Sequence, residues 1–562
     1  MNASYVYNYD AEKGWLTSSV VNLENGACTR TDNYVYDNHG MLQENGNSSY
    51  KTQYTYDSFD RLSTKKQLVN GTVCQNIQYG YDNTSNYQSG RVKTIYNSTT
   101  RYTQSYAYHS NGYISQYTNP QNGDNYTYTY DGAGRLINDG VYTYSYDTCN
   151  NIISKTGGGK TYTYTYWSGT TRIKSIIENG VESNQFVYDA TGNILRYKSS
   201  TQNLYWTRGN MLSHGTVQTG KPFTYKYDAD NLRYSKTVNG TETIYYWDCG
   251  VLLGEKTGSN YTQYLYDASG IIGMIYNGSY YYFEKNLFGD VLRAYNSSGT
   301  TVASFTYDSY GNLISQSGSM VDKVHFRYRG YYYDSETGFY YLQTRYYDPS
   351  ICRFISADQL ELLGTLADYP GQINLYAYCN NNPIMYTDET GEAFFLTALV
   401  VGLIAGAIIG GIVSTVESIS NGETGWELAG SICEGILLGS LAGGAAGALV
   451  GMAPTIGASL SAMLSGAAEA GVMAMSAEAY LVAAGATAVL GNVMFSRTSN
   501  SNGYWGQKYS NDHAPDHIHF KGTDGTNIRI GRDGKPLNGE ILTPQQRKAL
   551  NKLLKEILGL FN

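Results

Sequence analysis

The amino-acid sequence predicts a mainly β fold in which hairpins repeat along the first two thirds of the chain and stack into one spiral sheet. Three observations predict it: an excess of tyrosine and glycine, an aromatic alternation of period two, and a recurring tyrosine–aspartate motif. The 562 residues include 59 tyrosines and 63 glycines but only 9 prolines, a composition that favours strands punctuated by turns. A hydrophobic α-helical segment and a small α+β domain are predicted to follow.

The repeated motif reads Tyr-Asp-x-x-Gly or Asn, followed by leucine or isoleucine. The aspartate supplies an acceptor side chain, and the residue three positions later tolerates positive φ, so each copy is predicted to be strand, turn, strand. One hairpin cannot bury its own apolar face, so neighbouring copies must stack. Clear copies begin at Tyr36, Tyr56, Tyr130, Tyr146, Tyr188, Tyr266 and Tyr307, and weaker ones at Tyr81, Tyr108, Tyr227 and Tyr246.

The residues before the motif alternate with period two. Tyr126, Tyr128 and Tyr130 are separated by threonines, and the stretches 142–146 and 162–166 follow the same rule. In a strand this spacing places the tyrosines on one face and the intervening small polar residues on the other.

The segment FRYRGYYYDSETGFYYLQTRYYDPSICRFISADQ from Phe326, with NLYAYCNNNPIMYTDETG from Asn374, completes the pattern. Together with the repeats it resembles the Rhs/YD-repeat proteins of the polymorphic toxin type. The resemblance implies a YD-repeat β shell over 1–325 and an Rhs repeat-associated core over 326–391, as the C-terminal portion of a longer protein. A generic β-solenoid or a tyrosine-rich carbohydrate-binding surface is the alternative for the repeats.

The same resemblance implies that the core cuts the chain just beyond itself, using carboxylates and a nearby arginine. The residues that match by position are Arg345, Asp348, Asp358 and Asp388. Two carboxylates brought together can split their pKa values, so that one acts as base and the other as acid. The alternative is that Asp348 and Asp388 are turn residues. Glu389 and Cys352 depart from the family pattern, which puts self-cleavage in question but not the fold.

Composition changes at Phe394, and the segment 392–495 is predicted to be a glycine- and alanine-rich, transmembrane-like helical region. The run 394–416 is uncharged and long enough to cross a bilayer. Its glycines recur at a spacing of four, which lets apolar helices approach closely. Three interpretations remain open: a segment that inserts into a target membrane, ordinary transmembrane helices, or a hydrophobic linker sheltered by the shell.

Residues 496–562 are predicted to form a variable, toxin-like α+β domain that ends in an amphipathic helix. Its histidines His513, His517 and His519 are candidate catalytic residues or ligands of a divalent metal, the one cofactor that the sequence suggests. Its basic residues Arg529, Arg532 and Lys535 are candidate phosphate contacts of a nuclease. A solvated polar loop ahead of a structural hairpin is the alternative.

The sequence therefore predicts a polymorphic toxin of intercellular competition, whose shell protects an effector. The expected partners are a cognate immunity protein, a target-cell membrane and a nucleic-acid substrate. The N-terminus has no signal peptide pattern, and the expected location is secreted or cell-surface associated. The alternatives are a surface or adhesive YD-repeat protein without toxic activity, and a degenerate fragment.

Overall fold

The computed structural model describes residues 3–391 with gaps at 11–14, 25, 27, 39, 85–86, 218–219, 249, 268, 359–373 and 389, together with 395–396, 504–508, 517–522 and 527–531. The chain divides into two compact units. The first comprises Met1–Ala11 and Trp15–Ile404, and the second comprises Glu12–Gly14 and Ala405–Asn562.

The first unit is built from antiparallel strands, each paired with its neighbours in sequence. The first sheet contains β1 (Ala3–Tyr9), β2 (Leu16–Leu23), β3 (Cys28–Tyr36), β4 (Leu42–Gly46), β5 (Tyr50–Tyr56), β6 (Leu62–Val69), β7 (Thr72–Thr84), β8 (Tyr87–Asn97), β9 (Tyr102–Tyr108), β10 (Ile114–Asn119) and β11 (Asp124–Thr127). The second sheet contains β12 (Thr129–Tyr130), β13 (Leu136–Asn138), β14 (Tyr142–Tyr146), β15 (Ile152–Gly157), β16 (Lys160–Tyr166), β17 (Ile173–Glu178) and β18 (Val181–Glu182).

The third sheet is the largest, and a small sheet belongs to the core segment. The third sheet contains β19 (Val187–Tyr188), β20 (Ile194–Arg196), β21 (Asn203–Thr207), β22 (Met211–Thr216), β23 (Pro222–Tyr227), β24 (Arg233–Val238), β25 (Thr241–Asp248), β26 (Val251–Thr257), β27 (Asn260–Asp267), β28 (Gly270–Tyr276), β29 (Ser279–Lys285), β30 (Val291–Asn296), β31 (Thr301–Tyr307) and β32 (Leu313–Ser317). The core contains the 3-10 helices η1 (Tyr328–Gly330) and η2 (Cys379–Asn381), and the strands β33 (Tyr332–Asp334), β34 (Phe339–Tyr341), β35 (Tyr346–Asp348), β36 (Arg353–Phe354) and β37 (Tyr386–Thr387), the last paired with β38 (Phe395–Leu396).

The predicted alternation of faces is confirmed. In β14 and β16 the central tyrosines Tyr144 and Tyr164 are buried, and the outer tyrosines are half-buried. Thr143 and Thr163 point to the exposed face. Burial of one aromatic face per hairpin is the main apolar contribution of each repeat.

The turn chemistry of the motif is also confirmed. The Asp57 carboxylate accepts hydrogen bonds from the backbone amides of Phe59 and Arg61, at 2.9 and 3.1 Å. Asp131 accepts from Ala133 and Arg135 in the same way. The residues three positions after the aspartates adopt positive φ, as at Gly134 and Asn150. Each aspartate therefore satisfies two turn amides that would otherwise lack a partner.

Most of the motif tyrosines make a second recurring contact. A bulge interrupts the register immediately before the tyrosine, as between Thr165 and Tyr166, and the hydroxyl donates to a carbonyl of the preceding hairpin. These donations form a ladder of Tyr56 to Leu42, Tyr81 to Leu62, Tyr108 to Val92, Tyr130 to Ile114, Tyr146 to Leu136, Tyr166 to Ile152, Tyr227 to Leu212, Tyr266 to Leu252 and Tyr307 to Val291.

Two tryptophans occupy positions in this ladder. The indole N–H of Trp206 donates to the Ile194 carbonyl, and that of Trp247 donates to the Arg233 carbonyl, both at 2.8 Å. The copy predicted to begin at Tyr246 therefore begins one residue later, since the bulge lies between Tyr246 and Trp247. A further copy at Trp206 was not predicted.

The sheets wind back against their own earlier turns. Leu23 of the first sheet packs with Tyr246 and Leu253 of the third, and Tyr50 packs with Leu265 and Ile272. Hydrogen bonds across this junction join residues that are far apart in the sequence. The separation is 241 residues at Tyr7, 234 at Arg30, 205 at Gln67, 181 at Gln104 and 153 at Lys155. The number of residues between the two sides of the junction therefore decreases along the chain.

The second unit contains one described sheet, formed by β39 (Tyr504–Lys508), β40 (His517–Gly522) and β41 (Asn527–Gly531). The predicted apolar segment 392–495 lies outside the described residues except for its short described portion at 395–396. There the structure differs from the helix predicted from Phe394, because Phe395 and Leu396 pair with Thr387 and Tyr386 as a strand. Within the described ranges, none of the helices has the length and apolarity that a membrane crossing requires.

Candidate functional site

Most contacts of the core segment with the shell strands run in reverse order of the sequence, whereas Gln343 with Gly250 and Tyr376 with Gly192 depart from it. As the core runs from residue 332 to residue 385, its partners run back from residue 255 to residue 114. The contacts, in core order, are Tyr332 with Glu255, Asp334 with Arg233, Glu336 with Tyr225, Thr344 with Asn210, Arg353 with Thr171, Asn374 with Asn151, Asn382 with Gly134 and Met385 with Ile114. The core is thereby attached to the second and third sheets and to the end of the first.

One buried ion cluster fixes the first part of the core. Arg233 donates from both terminal nitrogens to Asp334, at 2.6 and 3.0 Å, and Lys236 reaches the same carboxylate at 3.0 Å. The Arg233 guanidinium lies 4.5 Å from the Tyr225 ring centroid and 4.4 Å from that of Tyr341. This bidentate pair joins β24 of the shell to β33 of the core.

A second arginine gathers the end of the core. Arg345 follows β34 and is almost fully buried, and its guanidinium packs 3.6 Å from the centroid of the Phe354 ring. One terminal nitrogen lies 3.0 Å from the Asp358 carboxylate, and the other lies 3.4 Å from that of Asp388. The Nε atom donates to the carbonyl oxygen of Gly391. Three of the residues that the resemblance implied, Arg345, Asp358 and Asp388, are therefore in contact, with the arginine between the two carboxylates.

The chain at Gly391 is held on both sides. The Asp388 carboxylate accepts the Gly391 amide at 2.8 Å. The preceding carbonyl, that of Thr390, accepts from the Thr344 hydroxyl at 2.7 Å and from the Thr344 amide at 3.1 Å. Gly391 has a φ of +82°, and a Cβ atom there would lie 2.8 Å from the Thr344 hydroxyl. Only glycine fits this position without displacing its neighbours.

The carboxylates differ in their surroundings. The Asp388 side chain is 3% exposed and that of Asp358 is 18% exposed. The Tyr331 hydroxyl lies 2.9 Å from the Asp388 amide, from the Tyr378 hydroxyl and from the Thr387 hydroxyl. Burial raises the pKa of Tyr331 well above its ordinary value, with Cys379 and Asp388 adding to the effect, so this phenol stays a neutral donor. Asp358 is the carboxylate nearer to solvent.

Asp348 belongs to a different network. It is fully buried, accepts from the Tyr197 hydroxyl, and caps the turn at Ser350 through the Ser350 amide at 2.9 Å and hydroxyl at 2.7 Å. The structure does not bring Asp348 into the Arg345 cluster. The sequence analysis missed Thr344 and Tyr331. No sequence signal marks them, because each bonds to a backbone atom of the core that lies about 50 residues later in the chain.

The candidate residues of the C-terminal domain are described only in part. His517 and His519 are alternate residues of β40, in the extended stretch that the sequence predicted, and the register pairs His519 with Arg529 of β41. His513, Arg532 and Lys535 lie outside the described residues. In the parts of the chain that the structure describes, no group of three or more histidine, cysteine, aspartate or glutamate side chains is placed to hold a metal ion.

Comparison with known proteins identifies the repeats. Residues 76–384, more than half of the chain, match the family described as teneurin YD-shell. Among solved structures, the crystal structure of TcdB2-TccC3-TEV is similar over 69% of this chain and 20% of that one, at 20% identity and a TM-score of 0.47. The crystal structure of TcdB2-TccC3 is similar over 69% of this chain and 21% of that one, at 20% identity and a TM-score of 0.45.

Similar curated sequences come from bacteria and an insect. The tRNA3(Ser)-specific nuclease WapA of Bacillus spizizenii is 38% identical over 224 residues, which are 38% of this chain and 9% of that protein. The tRNA nuclease WapA of Bacillus subtilis is 37% identical over the same length and shares. Salivary gland surface protein 1 of Aedes aegypti is 32% identical over 143 residues, or 25% of this chain and 4% of that protein. The chain thus spans less than a tenth of these relatives.

Proposed function

Because this chain belongs to the teneurin YD-shell family, we propose that it is an Rhs-type toxin that cuts itself between Gly391 and Glu392. In this proposal the shell over 1–325 and the core over 326–391 enclose an effector that begins beyond the cut. The observation that carries the proposal is the Arg345 guanidinium, which binds two carboxylates and the Gly391 carbonyl oxygen together.

The geometry suits hydrolysis of that peptide bond. A water molecule adds to the Gly391 carbonyl carbon, and the negative charge that develops on the oxygen lies against the Arg345 Nε–H, as in an oxyanion hole. Asp358, the more exposed carboxylate, takes the proton of the attacking water. It then gives the proton to the nitrogen of Glu392, which leaves as a new amino terminus. Asp388 and Thr344 act as positioning residues, since they hold the backbone on either side of the Gly391 α-carbon.

Electrophoresis of the purified full-length chain tests this proposal. We expect a separate fragment of residues 392–562, with intact mass spectrometry placing its first residue at Glu392. Asp358→Asn should abolish the fragment because the amide cannot act as a base, and Arg345→Lys should slow its formation about 100-fold or more, the scale expected for loss of an oxyanion donor. Asp348→Asn should leave the yield of the fragment unchanged if that residue only caps its turn.

The control variant is Asp131→Asn. Asp131 also pairs with an arginine, Arg135 at 2.7 Å, and is 22% exposed, so it matches Asp358 in chemistry but lies in a shell turn. If Asp131→Asn blocks the cut as strongly as Asp358→Asn, the effect comes from folding and the assignment fails. A wild-type chain that stays intact under native conditions contradicts the self-cleavage step itself.

We propose that residues 496–562 are the effector, and that the apolar region 392–495 helps it to cross a target membrane. The similarity to two proteins named tRNA nucleases supports a nuclease, with His513, His517 and His519 as acid, base or metal ligands and Arg529, Arg532 and Lys535 as phosphate contacts. A cognate immunity protein, secretion or display at the cell surface, and a divalent metal belong to the same proposal.

Induced expression of residues 497–562 tests the effector. We expect bacterial growth to slow and intact tRNA to decline, and His517→Ala should relieve both effects. In the full-length chain, His517→Ala should also relieve any growth defect, whereas the matched histidine control His325→Ala should not, since His325 lies in the shell unit and pairs with Glu255 at 2.8 Å. Normal growth with well-expressed effector removes the toxic function. It would favour the alternative of a surface or adhesive protein, which the similarity to the Aedes aegypti surface protein supports.

A further inference from the structure

A buried hydroxyl network lies beside the proposed cut, and Tyr331 stands at its centre. The Tyr331 hydroxyl oxygen is 2.9 Å from each of three atoms, namely the Asp388 amide nitrogen, the Thr387 hydroxyl and the Tyr378 hydroxyl. A phenol has one proton to donate, and its oxygen can accept further hydrogen bonds. Because an amide N–H can only donate, the Tyr331 oxygen accepts from Asp388, and its own proton is left for one of the two neighbouring hydroxyls.

The ring that carries this hydroxyl is fixed on all sides. Tyr331 is 5% exposed, and its ring makes edge-on contacts with the rings of Tyr328, Tyr340 and Tyr378, at centroid distances of 6.1, 6.2 and 6.4 Å. Its backbone amide donates to the Tyr328 carbonyl at 2.9 Å, and its carbonyl accepts the Arg327 amide at 3.0 Å. Packed side chains of this kind have little freedom to move. The hydroxyl is therefore a fixed point against which the end of the core can be held.

Asp388 connects this fixed point to the Gly391 carbonyl. Its amide bonds to Tyr331, while its carboxylate accepts the Gly391 amide at 2.8 Å and lies 3.4 Å from Arg345. The carbonyl oxygen of the same Gly391 accepts from the Arg345 Nε atom. A shift of the Asp388 backbone would therefore move the Gly391 carbonyl relative to Arg345. Misplacement of reacting groups by about 1 Å can slow an enzymatic step about 100-fold.

The chemistry of the phenol excludes a role in proton transfer at neutral pH. Burial raises the pKa of Tyr331 well above its ordinary value, and Cys379 and Asp388 add to the effect. A phenol that keeps its proton cannot act as a general base. Its contact with the cut segment is the Asp388 amide, three residues before Gly391. What this hydroxyl can contribute to the reaction is therefore geometry.

We propose that Tyr331 is a positioning residue of the self-cleavage, which holds the Asp388 amide and thereby keeps the Gly391 carbonyl against Arg345. This inference rests on the proposed self-cleavage. It assigns a role to the backbone of Asp388 in addition to that of its carboxylate, and it adds an uncharged residue to the groups on which the reaction depends.

The rate of self-cleavage in variants tests the proposal. It is followed by pulse–chase labelling during cell-free synthesis of the full-length chain, because the cut can be complete before purification. Tyr331→Phe keeps the ring and should slow the cut about 10- to 100-fold, by the same factor from about pH 5 to pH 8, since no proton transfer is lost. Thr387→Val removes one hydroxyl partner but leaves the amide bond, and should slow the cut at most about threefold.

The matched control is Tyr340→Phe. Tyr340 is also a fully buried tyrosine of the core, but its hydroxyl donates to a shell carbonyl, that of Gly311, at 3.0 Å. It should cut at the wild-type rate. A wild-type rate in Tyr331→Phe overturns the proposal, and so does equal slowing in Tyr331→Phe and Tyr340→Phe, because the loss would then come from folding. Slowing that changes with pH overturns it as well, since Tyr331 would then transfer a proton.

Hydrogen exchange separates this proposal from the proposed function. In the Asp358→Asn background, where the chain is expected to stay uncut, Tyr331→Phe should speed exchange of the Asp388 amide at least about tenfold, and Tyr340→Phe should not. Unchanged exchange in Tyr331→Phe overturns the proposed hold on Asp388, whether or not the chain cuts itself. A wild-type chain that stays intact contradicts the self-cleavage instead.

Discussion

Replacing Arg233 by methionine tests how the core is fastened to the shell. Arg233 is fully buried, forms a bidentate pair with Asp334 and is surrounded by tyrosine rings. Methionine fills most of the arginine's volume and removes the charge. Asp334 then keeps only Lys236 as a cationic partner, at 3.0 Å, in a site from which water is excluded.

The expected cost follows from this geometry. Breaking a buried ion pair by removing one partner destabilises a protein by about 3–5 kcal/mol, because a charge is left uncompensated. Lys236 offsets part of that cost, so we expect a value near the lower end, about 3 kcal/mol. Since about 1.4 kcal/mol corresponds to a factor of ten, the population of molecules with an opened core should rise roughly 100-fold.

Native-state proteolysis and urea unfolding measure this change, with Arg135→Met as the control. Arg135 pairs with Asp131 in a shell turn, where the two side chains are 18% and 22% exposed, and its loss should cost less than that of Arg233, about 1–2 kcal/mol. The double variant Arg233→Met with Asp334→Leu should be more stable than Arg233→Met alone, because no unpaired charge remains. If the double variant is as unstable as the sum of the two single variants, the ion-pair explanation is wrong.

The same cluster predicts a dependence on pH. Burial acts to raise the pKa of Asp334, but the charges of Arg233 and Lys236 outweigh it and hold the pKa below its ordinary value. A carboxyl whose pKa is lower in the folded state contributes stability above its unfolded pKa, about 3.9. This contribution should therefore be present at neutral pH and lost as the pH falls below about 4 through the folded pKa. In Arg233→Met the acid-induced loss should be smaller.

Two further predictions concern the repeats. Gly311→Ala should lower the free energy of unfolding by more than about 2 kcal/mol, because a Cβ atom would lie 2.4 Å from the Tyr328 ring. Gly240→Ala, also at positive φ but with open space around it, should lower it by only about 1 kcal/mol. Similar losses for the two variants in urea unfolding would contradict the steric explanation. Tyr266→Phe should cost about 1 kcal/mol, since it removes one 2.8 Å hydrogen bond to the Leu252 carbonyl, and no change in unfolding would remove the ladder as a source of stability.

The sequence predicted the hairpins well because their determinants are local. Alternating tyrosines set the buried face, and the motif aspartate caps its own turn within four residues, so both are visible in a short window. The copies that were missed have lost the aspartate or the tyrosine while keeping the geometry. At Asn286 and Asn296 the amide oxygen caps the turn in place of a carboxylate, and at Trp206 an indole replaces the phenol.

The core was harder to predict because its partners are distant. The resemblance placed Arg345, Asp358 and Asp388 at the site, and the structure brings these three together. The resemblance could not show that Asp348 belongs to a separate network, because that network is defined by the shell hydroxyl that reaches the Asp348 carboxylate. The Tyr197 hydroxyl comes from 151 residues earlier in the chain, and no local pattern encodes such a contact.

The winding of the sheet determines when each contact between neighbouring turns can form during translation. The contact between Tyr7 and Asp248 cannot form until Asp248, 241 residues later in the chain, has been synthesised. At about 5–20 residues per second on the ribosome, this delay is roughly 12–48 s. For that time the lateral rim of the nascent ribbon has no neighbouring turn to cover it. Protection of this rim by a chaperone, or secretion coupled to synthesis, would therefore matter most at the start of the chain, where the separation is greatest.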